Sequence, residues 1–250
     1  QADNGNFASL QSLTDLVNPE DLTTYTNLTE IIAKANNYTI LGSDDLMFPD
    51  LETLNVGGNY GTTDALNTID LGNLPSLKKI YVQWSSITSL DTSSNIALNH
   101  LQCNNTSITS LDVSSNTALT HMNVMDASLN TITFDNTGGN SNVKFLKCYN
   151  NNLSTIDLTG LERLQHLKIQ NNNLTTLTTP ASNAFGSYQL EHIDCSNNAL
   201  THINASAHNS LLKSFNANNN GDLATIDFGD NDLDEITSMQ LNNVGVFSVI

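Results

Sequence analysis

Residues 98–113 of this chain read LNHLQCNNTSITSLDV, and variants of this stretch recur along most of the sequence at intervals of about 21 residues. The copies are variants of the pattern L-x-x-L-x-(C/V/I)-x-x-N-x-L-T-x-L-D-(L/V), in which we number the first leucine as position 1; in residues 98–113 the ninth position is Thr106. A fixed period of this length indicates that every copy is one structural unit and that the core forms between stacked neighbours. The other copies begin at Leu51, Leu77, Leu119, Val143, Leu164, Leu190, Leu212 and Ile236.

The spacing is typical of leucine-rich repeats. We therefore predict that residues 51–250 form an array of about eight or nine turns. The array should be a curved, right-handed solenoid with a parallel β-sheet on its concave face. The second apolar stretch of each copy, L-T-x-L-D, is too short for a long helix and predicts extended or irregular convex segments. Side chains alternate along a strand, so positions 1, 4 and 6 should face the core and positions 3, 5 and 7 the solvent.

Residues 1–50 do not follow this pattern. Asn27 is a suitable N-cap residue and Glu30 stands three positions later, so residues 27–35 resemble a short helix that begins with a capping box. Pro19 is placed like the first residue of another helix. Because the first turn of a solenoid exposes an apolar edge, we predict a small N-terminal cap of short helices over residues 1–50.

The chain has 250 residues with 25 acidic and 8 basic side chains, which give a net charge of −17. Nucleic acid and bare anionic membranes are disfavoured as partners, because both would be repelled. No run approaches the ~20 apolar residues that span a bilayer, so we expect no membrane insertion. The first residues lack the basic and apolar regions of a secretory signal peptide, and for an extracellular protein we expect that signal to have been removed.

The three cysteines share one position of the repeat. Cys103, Cys148 and Cys195 all stand at position 6, which other copies fill with small apolar residues. Cysteines two turns apart would be separated by roughly 10 Å, since neighbouring strands are ~4.8 Å apart. A disulfide needs Cα atoms within ~7 Å. We therefore predict three free thiols that are buried in the core.

Aromatic residues and histidines are concentrated at solvent-facing positions of the predicted sheet, where packing does not require them. Six of the eight basic residues lie in the same strand segments, so this face is less acidic than the rest of the chain. Aromatic surface beside amides and a few cations suits a protein or glycan ligand. The alternative is that these side chains are merely good strand formers. The predicted ligand-binding residues on the concave face are Tyr81, Trp84, His100, His121, Phe145, Tyr149, His166 and His192.

Four of the six histidines in the chain occupy position 3, which raises the question of a metal site. A zinc site needs more protein ligands at each ion than the two that adjacent histidines would supply. Phe145 also interrupts the column. We therefore predict no metal and no cofactor, and we expect the stacked histidines to respond to pH near 6.

The densest acidic stretch contains Asp230, Asp232 and Asp234, whose oxygen atoms are of the kind that binds Ca²⁺. It lacks the spacing of an EF-hand, so a solvated acidic corner is the default interpretation. The sequence contains no G-x-S-x-G, H-E-x-x-H or phosphate-binding glycine motif. We therefore predict that the chain is not an enzyme.

The repeat resembles that of bacterial internalin-type proteins, specifically the internalin J-like kind with 21-residue repeats and a cysteine column. Residues 98–116 match that repeat nearly throughout, and residues 143–158 and 190–204 match it well. The resemblance implies a secreted or surface-anchored bacterial protein. It also implies a ligand on a host or neighbouring cell, since several such proteins are adhesins.

Two other functions are compatible with the same sequence. The chain could be a structural or assembly module of a cell-surface protein, or an accessory binding region of a larger exported enzyme. Residues 244–250 read as a strand that is apolar to its last residue, and such a strand can close the coil or pair with a second copy. We expect a monomer, with self-association through this strand as the alternative.

Overall fold

The computed structural model describes residues 12–14, 27–34, 40–41, 48–61, 65–137, 139–180, 190–206, 211–229, 233–245 and 248–249. These residues contain nineteen strands of two or three residues each and no helix. All paired strands run parallel, as in a coil where each turn adds one strand to a growing sheet. The predicted solenoid is confirmed.

The nineteen strands fall into one major sheet and three smaller sheets. In chain order they are β1 (Ser12–Thr14), β2 (Glu30–Ile32), β3 (Ile40–Leu41), β4 (Thr53–Asn55), β5 (Thr68–Ile69), β6 (Lys79–Tyr81), β7 (His100–Gln102), β8 (Ser110–Asp112), β9 (His121–Asn123), β10 (Thr131–Thr133), β11 (Phe145–Lys147), β12 (His166–Lys168), β13 (Thr176–Thr178), β14 (His192–Asp194), β15 (His202–Asn204), β16 (Ser214–Asn216), β17 (Thr225–Asp227), β18 (Ser238–Gln240) and β19 (Ser248–Val249). The major sheet, on the predicted concave side, has the order β1-β2-β4-β6-β7-β9-β11-β12-β14-β16-β18. The smaller sheets are β3-β5, β8-β10 and β13-β15-β17-β19.

Equal repeat positions lie opposite one another throughout the array of the major sheet. His121, Phe145, His166 and His192 are successive partners at position 3. Because neighbouring strands are ~4.8 Å apart, each position of the repeat becomes a column of side chains at that spacing. The register thus decides which side chains meet on the surface of the sheet.

The core is formed by the apolar residues at positions 1, 4 and 6 and by the leucines of the second apolar stretch. In one turn, Leu98, Leu101 and Cys103 are completely buried. His100 and Gln102, which alternate with them, are partly exposed. This alternation confirms the predicted division of the first strand into core-facing and solvent-facing positions.

The cysteine column lies inside this core. Cys103, Cys148 and Cys195 are buried and have free thiols, as predicted. Burial raises the pKa of the Cys103 thiol to about 12 and raises the pKa of the other two thiols as well, because a buried thiolate loses its hydration. All three cysteines therefore act as small apolar side chains.

The L-T-x-L-D stretches form short strands on the side opposite the major sheet, which confirms the predicted extended convex segments. The aspartate of this stretch closes a turn, because its Oδ1 accepts the backbone N–H two residues later; for Asp112 the donor is Ser114, at 2.9 Å. The same bond forms at Asp70, Asp91, Asp157 and Asp227. This aspartate column therefore has a structural role.

The predicted helix over residues 27–35 is wrong. The chain forms a strand at Glu30–Ile32, which pairs in parallel with the strand at residues 53–55. Leu28, Ile31 and Ala33 are completely buried, so they occupy positions 1, 4 and 6 of a further turn. The helical interpretation failed because apolar residues three apart suit both a helix and this repeat, and the neighbouring strand decides between them.

The major sheet continues across residue 51 without a break, through β2 to β1. Pro19 lies outside the described residues, and the division of the chain into a cap and an array at residue 51 stays a prediction. At the other end of the described chain, β19 pairs in parallel with β17, and Val249 is exposed. Among the described residues, no helix is long and apolar enough to cross a membrane.

Asparagines at position 9 hold each turn to the next. The Nδ2 of Asn172 donates to the carbonyls of Cys148 at 3.1 Å and Ile169 at 3.0 Å, and its Oδ1 accepts the N–H of Leu153 at 3.0 Å. Without the asparagine the N–H of Leu153 would be buried and unpaired, and the two carbonyls would each keep one amide donor, from Asn151 and Asn198 respectively. The same arrangement recurs at Asn151, Asn198 and Asn220. The predicted structural role of position 9 is confirmed for these turns.

We predict that Asn172→Ala lowers the free energy of unfolding by about 2 kcal/mol, because it leaves the buried N–H of Leu153 without a partner and removes one of the two amide donors to the carbonyls of Cys148 and Ile169. Urea denaturation followed by circular dichroism measures this loss. The matched control is Asn173→Ala, whose exposed side chain has no hydrogen bond to a described residue and should change stability by no more than about 0.5 kcal/mol. Equal effects of the two substitutions would contradict the structural role.

Candidate ligand-binding surface

Six of the eight predicted ligand-binding residues form a continuous row of rings on the solvent side of the major sheet. We call these six residues the aromatic row. The register of the strands sets their spacing, because successive rungs place one ring beside the next. The ring centroids are 5.2 Å apart for Tyr81–His100, 5.4 Å for His100–His121, 4.5 Å for His121–Phe145, 4.7 Å for Phe145–His166 and 4.7 Å for His166–His192.

The rings at position 3 stack face to face, with angles between 14° and 24° separating the planes of neighbours. Each internal ring is therefore covered on both faces and presents its edge to solvent. The edge of Phe145 consists of C–H groups, whereas the edges of the imidazoles carry ring nitrogens. The row thus offers hydrogen-bonding edges rather than open aromatic faces.

Local hydroxyl groups orient two of the imidazoles. The Nδ1 of His121 lies 2.9 Å from the Oγ1 of Thr120, and the Nδ1 of His192 lies 3.2 Å from the Oγ of Ser214. The Nε2 atoms of these two histidines have no hydrogen bond to a described residue, which leaves them available to a ligand.

Burial and neighbouring positive charges lower the pKa values of His100, His121 and His166. For His121, loss of hydration lowers the pKa most, and the charges of Lys144 and Lys147 lower it further. The pKa of His100 is lowered by burial, then by His121 and Lys79. For His166 the pKa is also lowered, by burial, His192, Lys168 and Lys213, while Glu191 opposes the shift. These three imidazoles therefore favour the neutral form more than an exposed histidine does.

Trp84 lies outside the aromatic row and differs in residue type from the other turns at its position of the repeat. It stands at position 8, where the backbone is left-handed, with φ of 56°. Such φ values suit glycine and asparagine but strain a bulky residue by roughly 1–2 kcal/mol. Its ring makes an edge-to-face contact with Tyr60 at a centroid distance of 5.2 Å. The other left-handed residues of this column are Asn105, Asp126, Asn150, Asn171, Asn197, Asn219 and Asn243.

The structure separates Trp84 and Tyr149 from the aromatic row. Tyr149 is partly exposed at position 7 and is in none of the ring contacts between described residues. The pKa of its hydroxyl is raised by burial and by the nearby charge of Asp126. Sequence analysis missed Tyr60, which is 91% exposed and comes from a segment with an irregular repeat length. Its exposure beside the only tryptophan extends the candidate surface.

Several amides of the major sheet lack partners. Six buried side-chain oxygens have no hydrogen bond among the described residues, and five of them belong to positions 5 and 7 of this sheet. An unpaired buried carbonyl costs about 1–3 kcal/mol, so these oxygens oppose stability in this arrangement. The five residues are Asn55, Gln83, Asn104, Asn123 and Gln170.

The geometry of the row does not suit a shared metal ion. The nitrogen lone pairs of an imidazole lie in the plane of the ring, and His166 and His192 stack with only 17° between their planes. An ion at ~2.0 Å from a nitrogen in one plane would be too far from the other ring. The described residues contain no group of three histidine, cysteine, aspartate or glutamate side chains that could hold a metal. Asp230 and Asp232, which the sequence offered as calcium ligands, lie outside the described residues.

We predict that the free energy of unfolding falls as the pH falls from 7 to 5.5. The pKa values of His100, His121 and His166 are lowered in the folded chain. Below a pH of about 6.5 the unfolded state therefore binds more protons than the folded state. Urea denaturation across this range measures the slope. Replacement of His121 and His166 by phenylalanine, which the column already uses at position 145, should flatten it. The converse variant Phe145→His should steepen it, and identical slopes for all three chains would contradict this assignment.

Solved structures with the same architecture provide the comparison for the fold. The functional domain of InlJ from Listeria monocytogenes, which includes a cysteine ladder, is 22% identical, with a TM-score of 0.55. The similarity covers 95% of this chain and 59% of that chain. The leucine-rich repeat domain of APL1 is 17% identical with a TM-score of 0.66, and the similarity covers 93% of this chain and 63% of that one. The internalin InlF from Listeria monocytogenes is 19% identical with a TM-score of 0.54, over 90% of this chain and 76% of that one.

No protein-family model and no curated protein sequence matches the chain. The chain spans about six tenths of the length of the first two of these structures. At these identities the likeness shows the fold: the chain is a leucine-rich repeat solenoid, and its resemblance to internalin J-like repeats with a cysteine ladder is confirmed at that level.

Proposed function

We propose that this chain is a secreted or surface-exposed bacterial binding protein that recognises a protein ligand through the solvent side of the major sheet. The observation that carries the proposal is Trp84, a strained tryptophan at a position where seven other turns use asparagine or aspartate. Backbone strain of this kind persists where function requires it. The resemblance to internalins favours a ligand on another cell, and hence an adhesive role.

The aromatic row alone would not support a binding function. Stacked ring pairs contribute roughly 0.5–1.5 kcal/mol each, so the row can serve to stabilise the sheet. Trp84 differs, because asparagine would fit the same backbone without strain. It could also join the hydrogen bonds between side-chain amides of neighbouring turns, such as the one from Asn171 to Asn150 at 2.6 Å. A tryptophan that costs stability at this site is explained by contact with a ligand.

A protein ligand fits this surface better than a glycan. Sugars bind aromatic residues through open ring faces, and the internal faces of the aromatic row are covered by neighbouring rings. The exposed edges carry imidazole nitrogens, and the flanking columns carry amides that donate and accept hydrogen bonds. Backbone and polar side chains of a protein offer the complementary groups. Tryptophan and tyrosine are also the residues that most often dominate the binding energy of protein interfaces.

The proposal is tested with a variant that carries Trp84→Asn and Tyr149→Asn, both drawn from residues that the repeat uses at these positions. Relief of strain at residue 84 should offset the lost contact with Tyr60, so the free energy of unfolding should stay within about 1 kcal/mol of the wild type. The purified chain is screened against arrays of extracellular proteins, mucins and glycans. For a protein ligand, we expect the variant to bind at least ~30-fold more weakly.

The matched control is Thr133→Ala, an exposed residue on the opposite side of the solenoid, which should bind normally. A ligand that binds the double variant as tightly as the wild type would contradict the proposal. A ligand lost equally by the control would place the binding site elsewhere.

A further inference from the structure

Among the described residues, some basic residues of this acidic chain form ion pairs with carboxylates, and others do not. Between described residues there are two ion pairs, Lys78 with Glu52 and Lys213 with Glu191, each at 2.6 Å. All four of these residues stand at position 2 of the repeat, directly before a strand of the major sheet. Lys147 and Lys168 stand instead at position 5, on the solvent-facing side of the major sheet, and neither forms an ion pair with a described residue.

Lys147 and Lys168 are direct partners on neighbouring strands, β11 and β12. Both are exposed, and the strands that carry them are ~4.8 Å apart. Like charges directly opposite each other destabilise a sheet. The chain has 25 acidic residues and only 8 basic ones, yet Lys147 and Lys168 are neighbours that repel each other. We call these two residues the lysine pair.

The acidic side chains around the lysine pair are already engaged. Asp194 follows Lys168 in the same column, but its Oδ1 accepts the N–H of Ser196 at 3.1 Å and the hydroxyl of Ser196 at 2.7 Å. Glu191 forms the ion pair with Lys213. The carboxylate of Asp126 accepts from Asn150 at 2.6 Å. None of these carboxylates forms an ion pair with Lys147 or Lys168, so the two ammonium groups are free to contact a ligand and form a positive centre, beside which Asp194 keeps its charge.

The middle of the aromatic row lies beside this centre. Phe145 and His166 occupy position 3 of the same two strands as the lysine pair, and His121 precedes them on β9. The charges of Lys147 and Lys168 act on these imidazoles, and so do those of Lys144 and Lys213. Two lysines and two imidazole edges thus face solvent together across adjacent rungs.

We propose that the lysine pair, with the edges of His121 and His166, binds the carboxylates of an acidic segment of the protein partner. This inference rests on the proposed function, whose ligand it specifies further. The four rungs from β9 to β14 extend over ~14 Å, which matches about four residues of an extended chain. An anionic partner removes the repulsion within the lysine pair and lets the imidazoles take up protons. The remaining acidic surface of the chain repels the same partner, so attraction is confined to this centre.

This arrangement has two consequences for affinity. Added salt screens attraction between exposed charges, so binding should weaken as ionic strength rises. A bound carboxylate raises the pKa of the imidazoles that it contacts, so binding takes up protons and should tighten as the pH falls from 7.5 to 6, while glutamate stays ionised.

The test uses a fluorescein-labelled octaglutamate peptide and fluorescence anisotropy at low ionic strength. We compare the wild type with a variant that carries Lys147→Gln and Lys168→Gln. The matched control carries Lys34→Gln and Lys78→Gln, which lose the same charge on or beside strands several rungs away. We expect about tenfold weaker binding for the first variant and little change for the control. Urea denaturation should find the first variant at least as stable as the wild type, since it loses a repulsive pair.

Octaglutamine is the control peptide and should not bind. Equal weakening by the two lysine variants would show an effect of net charge and overturn the inference, as would absence of octaglutamate binding to the wild type. A sulfated oligosaccharide that binds the wild type more tightly than octaglutamate, and is lost by Lys147→Gln/Lys168→Gln, would also overturn it in favour of an anionic glycan. None of these outcomes decides the proposed function, which depends on a partner's response to the variants at Trp84 and Tyr149.

Discussion

The structure depends on the register of its parallel strands, which asparagines at position 9 reinforce in four successive turns by bonding backbone groups of neighbouring turns. Asn172 alone bonds one N–H and two carbonyls from two successive turns. These bonds link the turns from Leu119 to Leu212. Parallel strand pairing holds the same register in the earlier turns, where position 9 carries Ser85, Thr106 and Ala127. All the columns of side chains on the major sheet follow from that register.

Because the register is fixed, the side chain at each repeat position lies beside the side chains at the same position of the two adjacent turns. Rings at position 3 therefore stack into the aromatic row, and lysines at position 5 become neighbours. Some of these contacts stabilise the sheet, as stacked rings do. Others oppose stability: the left-handed tryptophan, the lysine pair and the unpaired amides. Features that oppose stability on one face, above a well-packed core, support the proposal that this face serves recognition.

Much of this architecture could be predicted from the sequence, because a repeat specifies which residues occupy equivalent places. The burial of Cys103 and the structural role of Asn172 followed from their positions alone. The strand at Glu30–Ile32 was missed because a single irregular copy looks locally like a helix. Face-to-face stacking and the strain at Trp84 depend on side-chain rotation and backbone φ, which the repeat pattern does not specify. The register places Lys147 and Lys168 side by side, but that neither forms an ion pair with a described residue could be seen only from the positions of the surrounding carboxylates.

The most direct measurement is hydroxyl-radical footprinting of the chain with and without a bound protein partner. Oxidation of aromatic and histidine side chains reports their access to solvent residue by residue. If the solvent side of the major sheet is the binding surface, the partner should protect Trp84, Tyr149 and His166. Tyr60 should be protected with them, and His202 on the opposite side should stay as reactive as before. Protection of His202 with unchanged oxidation of Trp84 and His166 would contradict recognition through this face.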